Sequence, residues 1–305
     1  MIAAVLPVEE RRGFAIALML VAFLCFTMID TCAKWLVLSG LPPLEVAFIR
    51  YAGHLLIIAG LVGPRDWRGV ARTNAPLVAV LRGGFLAGAT IFNFFALRYL
   101  PLSVTSAIFF TVPLWICLLG GPMLGEWIGP RRATAVAVGF AGILIVTRPG
   151  LGAMHWAVLL SIGASLCASL YFLQTRRLAG IDSTPTQQVY AAGIGTLALA
   201  APALLDWSWP GDLVGWLAFA AIGGFGWAGH QITVIAHRMA PATTLAPFVY
   251  LQIIFMTGAG WIVFGTVPDV WVFVGAAVVV ASGLFIWMRE RRLERGRFPD
   301  EKLGH

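Results

Sequence analysis

Charge is what this chain has least of. Of 305 residues, 11% are Asp, Glu, Lys or Arg and 59% are hydrophobic, with a mean hydropathy of +0.86. An ordinary soluble domain carries about 25% charged residues. No soluble packing of a chain this size hides so much apolar surface, so its solvent is lipid. That excludes a cytosolic enzyme, a disordered protein and a nucleic-acid binder, the last in spite of a net charge of +7. No long polar stretch is left to build a soluble domain on a membrane anchor. The apolar runs exceed the roughly 10-residue alternating strands of an outer-membrane barrel. Helices are then the way to satisfy backbone groups inside the bilayer. Cysteine is scarce as well: Cys25, Cys32, Cys117 and Cys167 all fall in apolar runs, without paired metal spacing. They read as packing residues, with no disulfide framework, metal site or cofactor implied. The N-terminal apolar run is too long for a secretory signal, and no cleavage motif follows it.

What is present is a series of long apolar runs. A helix crosses the hydrocarbon core in roughly 20 residues. Runs broken by charge, Pro and Gly place ten spans near residues 14–38, 44–63, 76–99, 103–123, 132–148, 155–178, 185–205, 212–236, 242–264 and 269–288. The joints carry turn residues, such as Gly40 to Pro43, Gly129-Pro130 and Pro210-Gly211. With the N-terminus cytoplasmic, sixteen of the 21 cations fall on the inner side and only Arg98 and Arg148 on the outer. The positive-inside rule therefore sets both termini in the cytoplasm. Trp67, Trp127, Trp156, Trp207, Trp209, Trp261, Trp271 and Trp287 lie near span ends, whereas Trp115 and Trp227 sit mid-span.

The chain also repeats itself. Shifted by 140 residues, Gly83-Gly84-Phe85 falls on Gly223-Gly224-Phe225, and Ala96, Arg98 and Pro101 fall on Ala236, Arg238 and Pro241. With small shifts Cys25 aligns with Cys167, Lys34 with Arg176, Pro43 with Pro185 and Gly142 with Gly283. Each half holds five spans, and an odd number makes the halves insert in opposite directions. The reading is an all-α polytopic membrane protein of ten transmembrane helices in two inverted five-helix repeats. A cytoplasmic N-terminus covers 1–13, the repeats cover 14–148 and 149–288, and a basic cytoplasmic tail covers 289–305.

Pro43 to Arg50, Ala96 to Pro101, Ser103 to Pro113, Gly125-Glu126 and Gly139 to Ile143 resemble the drug/metabolite transporter superfamily, in its ten-helix branch of two EamA-type repeats. The second half departs from the pattern: Thr266 stands where the first has Glu126, and Ala192 where it has Arg50. Roles carried by those charges are therefore one-sided. The resemblance implies an alternating-access carrier exporting small amphipathic metabolites, foremost aromatic and other neutral amino acids. Other solute classes (a drug, a nucleobase, a nucleotide-linked metabolite) stay open. A membrane-embedded enzyme is disfavoured because no HExxH motif, paired acids or polar catalytic loop occurs. A channel is disfavoured because no ring of like polar residues repeats. The expected partners are the solute, the bilayer and, as an open question, protons, with the protein acting as a monomer or weak homodimer.

Ionisable and polar groups inside spans are the site candidates, because lipid tolerates them only when paired or facing water. Asp30 and Lys34 stand one turn apart and can pair. Arg50 can hold a substrate carboxylate or lock to Asp30 or Glu45, and His54 can carry a proton or simply pack. Arg82 reads as an anchor near the inner interface. Glycines in spans three and eight permit close backbone approach. Beside them Asn93, Trp227, His230 and Gln231 suggest a cavity, with Tyr171, Gln174, Tyr250 and Gln252 as further wall candidates. Pro113 and Pro247 interrupt spans four and nine and are hinge candidates.

Overall fold

Proline and glycine cut this apolar chain into helices. The computed structural model describes residues 12–124, 129–147, 155–178, 181–239 and 250–297. Helix α1 (Arg12–Leu38) ends at a turn through Gly40, whose φ of +104° suits glycine alone. Helices α2 (Pro43–Val70) and α3 (Pro76–Leu97) begin with proline, where the missing N–H has no helical acceptor to lose. A kink at Gly63 separates the apolar part of α2 from its charged remainder. Helices α4 (Leu102–Phe109) and α5 (Val112–Leu124) are one span broken at Phe110 and Thr111. Pro113 supplies the cause. Its ring clashes with the carbonyl four residues back, that of Phe109, and α4 stops there.

Helices α6 (Pro130–Thr147), α7 (Val158–Leu178), α8 (Thr184–Leu205), α9 (Leu213–Met239), α10 (Gln252–Phe264) and α11 (Val270–Arg297) follow. The Ser183 hydroxyl caps α8 by accepting from Thr186 N at 3.3 Å. Gly265 closes α10 in the left-handed conformation. Among the described residues seven units are long and apolar enough to cross a membrane, and three more are shorter apolar helices. Leu197 and Ile262 are each 79% exposed, which only a lipid surround makes favourable.

The helices pack across the two halves. α1 lies along α9 and α3 along α7; α2 meets α9 and α3 meets α8; α5 meets α7 and α1 meets α10. With spans numbered one to five in each half, each of these pairs of contacts is a single contact and its counterpart. Three more, α2 with α8, α6 with α11 and α4 with α10, are their own counterparts. A pseudo-two-fold axis therefore relates the repeats. Side chains keep the same symmetry: a Cβ added to Gly88 in α3 would lie 3.3 Å from Cys167 Sγ in α7. One added to Gly229 in α9 would lie 3.2 Å from Cys25 Cβ in α1. Where α2 crosses α9 the backbones touch, and a Cβ on Gly223 would come within 2.7 Å of Gly53 Cα.

Candidate substrate cavity

Seven helices, α1, α2, α3, α4, α7, α9 and α10, surround about 870 Å³ of empty space, open mouth included. The wall is mainly apolar and strongly aromatic, with Phe26, Phe94, Phe109, Tyr171 and Phe172 contributing rings and Ile29, Leu86 and Met256 aliphatic surface. Asp30, Arg50, Thr90, Asn93, Thr105, Ser106, His230 and Gln252 supply its polar points.

These polar groups are held in place. Asp30 Oδ1 accepts from Asn93 Nδ2 at 2.9 Å, joining α1 to α3. Arg50 Nη1 donates to Thr90 Oγ1 at 2.8 Å, and its guanidinium lies 4.7 Å over the Tyr51 ring. The Tyr51 hydroxyl bonds Thr90 Oγ1 at 2.7 Å and Leu86 O at 2.8 Å, so the Arg50 support is itself fixed. His230 stacks near His54 at 6.0 Å and meets Phe26 edge-on at 5.2 Å. Its Nε2 is buried and has no hydrogen-bond partner among the described residues.

Two further sets of bonds tie the helices beyond either end of the cavity. Towards the Leu38 end of α1, Lys34 Nζ donates to Leu97 O at 2.9 Å and Leu100 O at 2.6 Å. Lysine thus caps the C-terminus of α3, where the helix dipole favours a cation. It does so in place of the expected pairing with Asp30. At the other end Arg82 is buried rather than anchored at an interface. It donates to Thr175 Oγ1 at 2.7 Å, Gln187 O at 2.8 Å and Tyr171 Oη at 2.8 Å, joining α3 to α7 and α8. The same level carries a chain in which His54 Nε2 meets Gln188 Oε1 at 3.1 Å and Gln188 Nε2 donates to Gln231 Oε1 at 2.8 Å.

Two helical repeats packed crosswise around an aromatic cavity make the geometry of a carrier. The profile of the EamA-like transporter family matches residues 13–148 and again 155–288. The chain belongs to the EamA-like transporter family. The riboflavin transporter of Vibrio cholerae is 31% identical, over 91% of this chain and 94% of its own. The riboflavin transporter of Rhizobium johnstonii is 30% identical, over 95% and 96%. The S-adenosylmethionine uptake transporter of Rickettsia bellii is 26% identical, over 86% and 89%. A solved crystal structure superposes with a TM-score of 0.63 at 19% identity, over 92% of this chain and 99% of that one, a likeness of fold. This EamA-like protein is therefore a multi-pass membrane transporter of small metabolites and not an enzyme. Its relatives do not single out amino acids as the solute class.

Of the residues singled out in the transporter's sequence, Asp30, Arg50, Asn93, Tyr171, His230 and Gln252 come together on the cavity wall. His54 and Gln231 stand behind it in the Gln188 chain. Gln174, Trp227 and Tyr250 lie off the wall. Gln174 is buried and accepts from Arg177 Nη1 at 3.4 Å. Trp227 is half-buried outside the lining. Tyr250 packs edge-on against Phe110 at 5.4 Å, its hydroxyl filling the space beside Gly283. Trp115 donates from Nε1 to Ser165 Oγ at 3.1 Å. Pro113 lies in the first turn of α5, just past the break in its span. Pro247 and Glu126 lie outside the described residues. Phe26, Thr90 and Leu86 were missed, although a signal existed: they stand one or two turns from Asp30 and Asn93 on the same helix faces.

Proposed function

We propose that this transporter carries a flat heteroaromatic metabolite with a few hydrogen-bonding groups, riboflavin foremost, by alternating access across a bacterial inner membrane. The aromatic wall of the cavity between the repeats carries this reading. Rings suit a planar π-system, and the sparse fixed polar groups suit a solute without net charge. A solute rich in phosphate would call for more converging cations than Arg50. The names of the Vibrio and Rhizobium relatives support the same class. The inverted repeat supports two near-equivalent states, one open to each side. Both termini are placed in the cytoplasm on the distribution of Lys and Arg. Net direction follows the solute gradient unless an ion is coupled to it, so the export expected from the sequence becomes one direction of a reversible carrier.

One observation favours a second reading, neutral amino acids. Asp30 and Arg50 face the same cavity with opposite charges, as a zwitterion would require. Proteoliposomes holding the purified protein separate the two. Saturable counterflow of labelled riboflavin, undiminished by excess tryptophan or phenylalanine, is the expected result. Counterflow of either amino acid without any of riboflavin would overturn the flavin reading.

A further inference from the structure

Asp30 and Arg50 share a cavity, and Arg50 lies within electrostatic range of Asp30. Each is nevertheless held by a neutral partner, Asp30 by Asn93 and Arg50 by Thr90. A hydrogen-bond acceptor and a donor of opposite charge therefore face one cavity whose wall is otherwise mostly apolar. Such a pair is complementary to a group that is itself donor and acceptor in adjacent atoms. It demands a fixed geometry, and the fixing is present. The guanidinium is clamped between Thr90 and the Tyr51 ring, and the carboxylate is oriented by the Asn93 amide.

We propose that Asp30 and Arg50 form the subsite that reads an imide edge on the solute, a ring N–H flanked by carbonyl oxygens, as on the pyrimidine end of a flavin. The inference rests on the carrier reading above and deepens it. The Asp30 carboxylate accepts the ring N–H, and the Arg50 guanidinium donates to one flanking carbonyl. Both bonds are charge-assisted and formed in a largely apolar cavity, where they are strong. Phe26, one turn from Asp30 on α1, and Tyr171, from α7, offer their rings to the solute. His230, whose ring meets Phe26, lines the same cavity.

The full-length protein in detergent is titrated into riboflavin and, separately, into its N3-methyl analogue, with binding read from quenching of flavin fluorescence. The methyl group removes the donor that Asp30 accepts, so the analogue is expected to bind about tenfold more weakly or worse. Asp30→Ala should weaken riboflavin by a similar factor and leave the analogue where it was, so that discrimination disappears. Asp30→Asn, which keeps an acceptor oxygen without the charge, should fall between. The wild-type comparison decides the matter even where a variant fails to give a monodisperse elution profile. Equal affinity of the wild type for both flavins overturns the subsite and leaves the carrier reading standing. Failure of both flavins to bind overturns the two together.

Discussion

Lys34 is 6% exposed among apolar helices, and its ammonium is nonetheless satisfied by Leu97 O and Leu100 O with the Phe264 ring 5.5 Å away. Leu97 O is the last carbonyl of α3 and Leu100 O lies in the turn that follows it, so lysine and helix end complete each other. Replacing Lys34 with Met keeps the bulk and removes the donors. The expected loss is about 1–3 kcal/mol, the cost of leaving buried acceptors unpaired. It is read as earlier thermal unfolding of the detergent-solubilised protein, with Lys34→Arg closer to wild type. Arg50 makes the opposite comparison. Arg50→Lys retains the charge but cannot bond Thr90 while lying flat on Tyr51. Transport should therefore fall severalfold with little change in unfolding temperature, measured as counterflow against melting on the same preparation.

At the scale of helices, neighbouring glycines separate packing from propensity. Gly223 lies where α9 crosses α2, and a Cβ there meets Gly53 backbone; beside Gly224 nothing lies within 4 Å. Gly223→Ala should destabilise by about 1–3 kcal/mol through overpacking. Gly224→Ala should be neutral or slightly stabilising, because alanine is the better helix former. Paired melting curves check both. Pro113→Ala removes the ring that ends α4 at Phe109. A continuous helix there is expected to slow turnover while solute affinity holds, as counterflow rate against equilibrium binding would record. Helix ends were legible in the sequence because charge, Pro and Gly mark where lipid stops. The rotation of each helix was not, since a span apolar on all sides carries no stripe to say which way it faces. Tyr250 and Gln252 illustrate it: two polar residues two apart, one packed against Phe110 and the other on the cavity wall.

For the whole molecule, the duplication visible in Gly83-Gly84-Phe85 and Gly223-Gly224-Phe225 reappears as contact symmetry, with Cys25 against Gly229 and Cys167 against Gly88. The largest packed surfaces, α1 on α9, α3 on α7, α6 on α11 and α2 on α8, all join one repeat to the other. Neither half alone covers its own polar residues. Asp30 on α1 and Asn93 on α3 share the cavity with Tyr171 and His230 of the second repeat, and Arg82 finds its partners on α7 and α8. Association of helices in lipid rests on such packing and hydrogen bonds rather than on escape from water. A chain divided between α6 and α7 and expressed as two separate polypeptides should therefore assemble in the membrane and regain transport. Each half expressed alone should be degraded, leaving His54 and Arg82 without Gln188, Thr175 and Gln187. Co-purification of an untagged half with a tagged one, scored beside counterflow, measures this. Two halves that accumulate stably apart and never copurify would mean that the interleaved packing is not what holds the carrier together.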